Sequence, residues 1–73
     1  MLKRKIKLDL DGKMNELKIN LENNYKDLAH DALKELQTAL ENYKESGEIK
    51  EKDYMKYKQK VDSYAMRMMN YHH

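Results

Sequence analysis

The chain has 73 residues, 38% of them charged with a net charge of +2, and contains neither Cys nor Pro. A domain of this size buries only roughly 60% of its unfolded surface and leaves no room for a deep catalytic cleft. Without Cys, thiolate nucleophiles, thiolate metal sites and disulfide staples are excluded, and the near-balanced charge is no signature of a polyanion partner.

The first segment reads as a β-hairpin. In "LKRKIKLDL" the apolar residues Leu2, Ile6, Leu8 and Leu10 fall on even positions, and in "NELKINL" Leu17, Ile19 and Leu21 fall on odd ones. That alternation is the period of half-buried strands. Asp11-Gly12 between them is a tight-turn signal. A four-residue loop sets Leu8 against Leu17 and Ile6 against Ile19, whereas a two-residue turn pairs Ile6 with Leu17, and both registers keep the apolar residues on one face. Lys, Arg or Asp interrupts the segment too often for a signal or a membrane span, so a cytoplasmic protein with no membrane partner is expected.

A lone two-stranded ribbon is barely stable in water, so a helix must cover it. Residues from about 24 to 46 supply one. Asn24 is placed as N-cap and Asp27 in the first turn, and Tyr25, Leu28, Ala29, Ala32, Leu33, Leu36, Ala39, Leu40 and Tyr43 recur at helical spacing. This apolar face is broad enough for two neighbours. Gly47 then ends the helix where a left-handed residue is expected. A second helix, from about 50 to 71, carries Tyr54, Tyr57, Val61, Tyr64, Met68 and Tyr71 at alternating steps of three and four, with Ile49 plugging the corner ahead of it. The expectation is a single α+β domain, a two-stranded antiparallel hairpin at about 2–22 followed by two packed helices (ββαα).

The stretch "NYKESGEIKEKDY" has the cadence of a calcium loop. With Gly47 at the sixth position, however, Lys44 and Lys50 fall where oxygen ligands belong, and Asp53 replaces the bidentate Glu. It reads as a helical corner. Gly47, Ile49, Asp53, Tyr54, Lys58 and Val61 follow one another as G-x-I-x-x-x-D-Y-x-x-x-K-x-x-V, and residues 36–64 thereby resemble the short C-terminal domain family, SHOCT. The resemblance implies a small helical hairpin that mediates oligomerisation or protein contacts.

Four further groups are weighed as sites. Met55, Met66 and Met69 lie away from the seam of the second helix and form an adaptable apolar strip suited to a protein partner, with a homodimer as one form of that pairing. Lys3, Lys5 and Lys7 on the outer face of the first strand, with Lys56 and Lys60 on the second helix, form the alternative, a nucleic-acid surface. Met66, Met68, Met69, His72 and His73 have soft and imidazole ligand chemistry, but Met68 belongs to the seam, and neither a metal nor another cofactor is expected. His30, flanked by Asp27 and Asp31, has no Ser or Thr nucleophile fixed near it, and no phosphate loop or HExxH-like motif occurs. The expected function is therefore a small non-catalytic protein-interaction module, whether adaptor, inhibitor or oligomerisation domain, of the sort that phages and other mobile elements carry.

Overall fold

A computed structural model describes residues 2–69. They form three helices, α1 (Arg4–Glu22), α2 (Lys26–Glu45) and α3 (Glu51–Met69), and no strand occurs among them. The α+β, ββαα expectation is thus corrected to an all-helical fold. The segment expected to be a hairpin is one continuous helix of 19 residues.

The reason lies in which apolar residues share a face. Leu2, Ile6, Leu10, Met14, Leu17 and Leu21 follow one another at steps of four, four, four, three and four, a helical line. Ile6, Leu10, Leu17 and Leu21 are buried, and Leu2 and Met14 pack partly against the same core. Leu8 and Ile19, which complete the even and odd alternation, instead point outward at 63% and 46% exposure. Propensity agrees with the helix, because residues 2–22 contain no aromatic and only two β-branched side chains, Ile6 and Ile19, against five Lys and five Leu. Ion pairs one turn apart, Lys7–Asp11 at 2.9 Å and Asp9–Lys13 at 2.8 Å, add a few tenths of a kcal/mol each. Asp11-Gly12 makes no turn: Gly12 sits exposed inside α1 without a positive φ.

Both corners between the helices use the same hydrogen-bond device. After α1, the Asn24 N–H donates to the Leu21 carbonyl and the Tyr25 N–H to the Asn20 carbonyl. After α2, the Gly47 N–H donates to Lys44 and the Glu48 N–H to Tyr43. This is the Schellman pattern, in which a left-handed residue lets the chain turn back and satisfy the last carbonyls. Gly47 takes that role at φ 77°, and Asn24 takes it at φ 59°. Asn24 is therefore not the N-cap of α2. Tyr25 holds that position, with no side-chain cap bond.

α2 runs through the middle of the structure. α1 and α3 each pack along it and meet one another only sparingly. The broad face of α2 makes this arrangement work, with Ala29, Ala32, Leu36 and Leu40 buried and Leu33, Ala39 and Tyr43 partly so. Tyr25 and Leu28, counted with that face from spacing, are each 54% exposed. α3 contributes Tyr54, Tyr57, Val61 and Met68 to the core, with Tyr64 at its edge, and Ile49 is buried in the corner before it. Tyr71, the last residue of the expected seam, lies outside the described residues.

Among the described residues, every fully buried large side chain is aliphatic: Leu10, Leu17, Leu36, Leu40 and Val61. Leu10→Ala should cost about 2–5 kcal/mol of unfolding free energy, and Leu8→Ala less than about 0.5 kcal/mol. Urea denaturation followed by circular dichroism separates them. Equal losses at the two positions, as a hairpin would give, would refute the helical assignment of α1.

Candidate functional site

The polar order of the structure comes from three tyrosine hydroxyls. Tyr43 of α2 donates to Asp9 of α1 at 2.5 Å, Tyr57 of α3 donates to Asp11 of α1 at 2.9 Å, and Tyr54 of α3 donates to Glu41 of α2 at 2.5 Å. Each pair of helices is thereby tied by one phenol–carboxylate bond. Such bonds to an ionised acceptor are stronger than neutral ones. They also let large rings enter a small core, because the Tyr54 and Tyr57 rings are buried and Tyr43 partly so, while each hydroxyl reaches the rim. Among the described residues no buried side-chain nitrogen or oxygen is left without a partner.

The carboxylates are tuned by their partners. The Lys13 ammonium, and after it the Tyr43 hydroxyl, hold Asp9 below the usual carboxylate range. Lys7 chiefly, with help from Tyr57, does the same for Asp11. On the other side of these bonds, acceptance by Asp9 pushes the Tyr43 phenol up, acceptance by Glu41 pushes Tyr54 up, and burial followed by the bond to Asp11 pushes Tyr57 up to about 12.

Because α1 and α3 touch so little, a groove opens between them. It measures about 440 Å³ and is lined by Leu2, Lys7, Asp11, Asp53, Lys56, Tyr57 and Lys60. A second depression of about 380 Å³ continues it along α3, sharing Lys60 and adding Met14, Ser63, Tyr64 and Arg67, whose guanidinium lies 5.8 Å from the Tyr64 ring centre. Of the five lysines expected to form a nucleic-acid surface, the structure gathers Lys7, Lys56 and Lys60. Lys3 and Lys5 do not line this groove, since positions 3, 5 and 7 share a face on a strand but fan out around a helix. Asp11 and Asp53 offset part of the positive charge.

The methionines expected to meet a partner are all on the outer side of α3: Met55 is 48% exposed, Met66 66% and Met69 67%. Met66 and Met69 are neighbours one turn apart. Met55 stands about 16 Å further back along the axis, beyond the Lys58–Asp62 ion pair, so the strip is a pair and an outlier. α1 in turn exposes Leu8 and Ile19, which spacing had assigned to a buried face.

In the corner once compared with a calcium loop, Lys44 lies 4.2 Å above the Tyr54 ring, and the Ser46 hydroxyl is 3.1 Å from the Tyr43 carbonyl and 3.0 Å from Glu48 Oε2. Among the described residues no three His, Asp or Glu side chains are placed to hold an ion. His30, Asp27 and Asp31 are exposed. His72 and His73 lie outside the described residues. No helix among those described is long and apolar enough to cross a membrane.

Asp9, Asp11 and Glu41 are the polar residues that sequence reasoning misses. Each lies 13 to 46 positions from its tyrosine, so no local spacing announces the bond. Compared with protein-family models, curated proteins and solved structures, the chain matches none.

The tyrosine bonds set a pH profile. A phenol whose pKa is raised on folding stabilises the fold below its unfolded value of 10.0, and that contribution disappears as pH climbs towards about 12 for Tyr57. The depressed Asp9 and Asp11 contribute above their ordinary 3.8 and lose their share as pH falls below it. Tyr57→Phe should cost roughly 0.5–1.5 kcal/mol at pH 7 and flatten the loss of stability above pH 10, Tyr43 and Tyr54 keeping the remainder. Denaturation midpoints between pH 9 and 12 test this. A variant with the same alkaline slope as the parent would show that Tyr57 does not carry it.

Proposed function

We propose that the chain is a small non-catalytic protein-interaction module that docks on a partner through Met66 and Met69, with Met55 as an outlying contact. One observation carries this reading: over four consecutive residues, α3 buries Met68 to 5% exposure and leaves Met66 and Met69 two-thirds exposed. The core is already closed without them. Unbranched, polarisable side chains of this kind adapt to varied partner surfaces, and exposed apolar neighbours are a mark of contact sites. The resemblance of residues 36–64 to the SHOCT hairpin supports the same class of role. Gly47, Ile49, Tyr54 and Val61, which carry it, are the residues that bend or bury at the α2–α3 corner.

Replacing Met66 and Met69 together by Lys should leave helicity unchanged and abolish recovery of the partner in quantitative affinity enrichment. Retention of the same partner at the same yield would sink the assignment of this surface.

The groove between α1 and α3 favours a second reading, nucleic-acid binding through Lys7, Lys56 and Lys60, with Lys3 and Lys5 outside the groove. Three phosphate contacts would give a log–log salt slope of about −2 to −3. Fluorescence anisotropy with a labelled oligonucleotide measures it, and binding indifferent to salt would exclude this reading. Tyr57 offers little to stacking, since its ring is buried and its hydroxyl is held by Asp11.

A further inference from the structure

The outer face of α1 carries an uncharged line that the fold does not use. Leu8, Gly12, Asn15 and Ile19 succeed one another at steps of four, three and four, opposite the buried line of Ile6, Leu10, Leu17 and Leu21. Gly12 stands near its centre. A glycine inside a helix lowers stability relative to alanine, and here nothing lies within 4 Å of where a Cβ would sit, so intramolecular packing does not require it. An exposed helical glycine between two exposed aliphatic residues is the geometry that lets a second helix approach closely.

We propose that this face pairs with the same face of a second copy, the two α1 helices antiparallel about a two-fold axis. The midpoint of the line falls between positions 13 and 14. A two-fold there sets Leu8 of one copy against Ile19 of the other and Gly12 against Asn15. The charges at the two ends of one flank obey the same symmetry. Arg4 and Glu22 lie on one side of the line at opposite ends of α1, so antiparallel pairing places each beside its opposite on the other copy, twice over. Neither forms an ion pair within the chain among the described residues. Parallel pairing would instead set Arg4 against Arg4 and Glu22 against Glu22. This face is separate from Met66 and Met69 and goes beyond the docking role assigned to them.

One helix pair some 28 Å long gives an interface at or below the roughly 1,000 Å² where stable complexes begin, so dissociation on the order of 100 µM is expected. Sedimentation velocity from about 5 µM to 1 mM should show a reversible monomer–dimer equilibrium. Arg4→Glu or Glu22→Arg alone should weaken it by about 3–10-fold, and the two together should restore it to within about twofold. Both changes suit the helix dipole and leave the fold intact, as circular dichroism will confirm. Gly12→Ala should move two readouts in opposite directions: it raises the melting temperature of the dilute monomer by about 4–8 °C and weakens the dimer. A monomer at every concentration, a dimer indifferent to the charge reversals, or a dimer tightened by Gly12→Ala each overturns the proposal. A dimer that responds only to Met66→Lys with Met69→Lys would do so too, while leaving the methionine surface standing.

Discussion

The structure depends on α2 having two neighbours. Its apolar face is too wide for a single helix to cover, and Leu36 and Leu40 are fully buried because α1 closes over one side of that face and α3 over the other. α1 and α3 each turn their buried apolar line towards α2, so they stay apart along most of their length. The groove between them is the residue of that arrangement. Its depth comes from packing, and its charge comes from whichever solvated side chains the two helices turn towards it.

The tyrosines resolve a conflict that a small helical core creates. Leu and Ala alone leave a thin interior, and aromatic rings thicken it but bring a hydroxyl that must not be stranded. Placing Tyr43, Tyr54 and Tyr57 where their hydroxyls reach Asp9, Glu41 and Asp11 meets both demands. The acids are held in turn by Lys13 and Lys7 from within α1, so each junction of α1 with a neighbour ends in a short cation–carboxylate–phenol chain. Geometry of this sort restricts how the helices can slide past one another, which an all-aliphatic contact would do less well.

α2, α3 and the Gly47 corner are legible in the sequence because several signals agree there: steps of three and four, a glycine after the last periodic residue, and an isoleucine to fill the bend. α1 is not legible by alternation, because a single helix that carries a buried line and a second apolar line on its far side contains both periods at once. Leu8 and Ile19 belong to the second line, and counting them with the first produces strands. The better signals were composition, with scarcely a β-branched residue in residues 2–22, and the Lys7–Asp11 and Asp9–Lys13 pairs one turn apart. Of the candidate sites, the exposed methionines follow from spacing alone, since they lie opposite the seam of their own helix. The lysine groove does not, because its membership depends on whether positions 3, 5 and 7 lie on a strand or a helix.

The corners that join the helices also govern how quickly the chain finds its shape. Three residues link α1 to α2 and five link α2 to α3, so most buried contacts join segments adjacent along the chain and close small loops. Chains with such local topology reach the native state in microseconds to milliseconds, with little time for apolar faces to meet the wrong partner. The Asp11–Tyr57 hydrogen bond is the exception, spanning 46 positions. It needs both corners turned before the first and last helices can meet, so of the three tyrosine bonds it closes the longest loop.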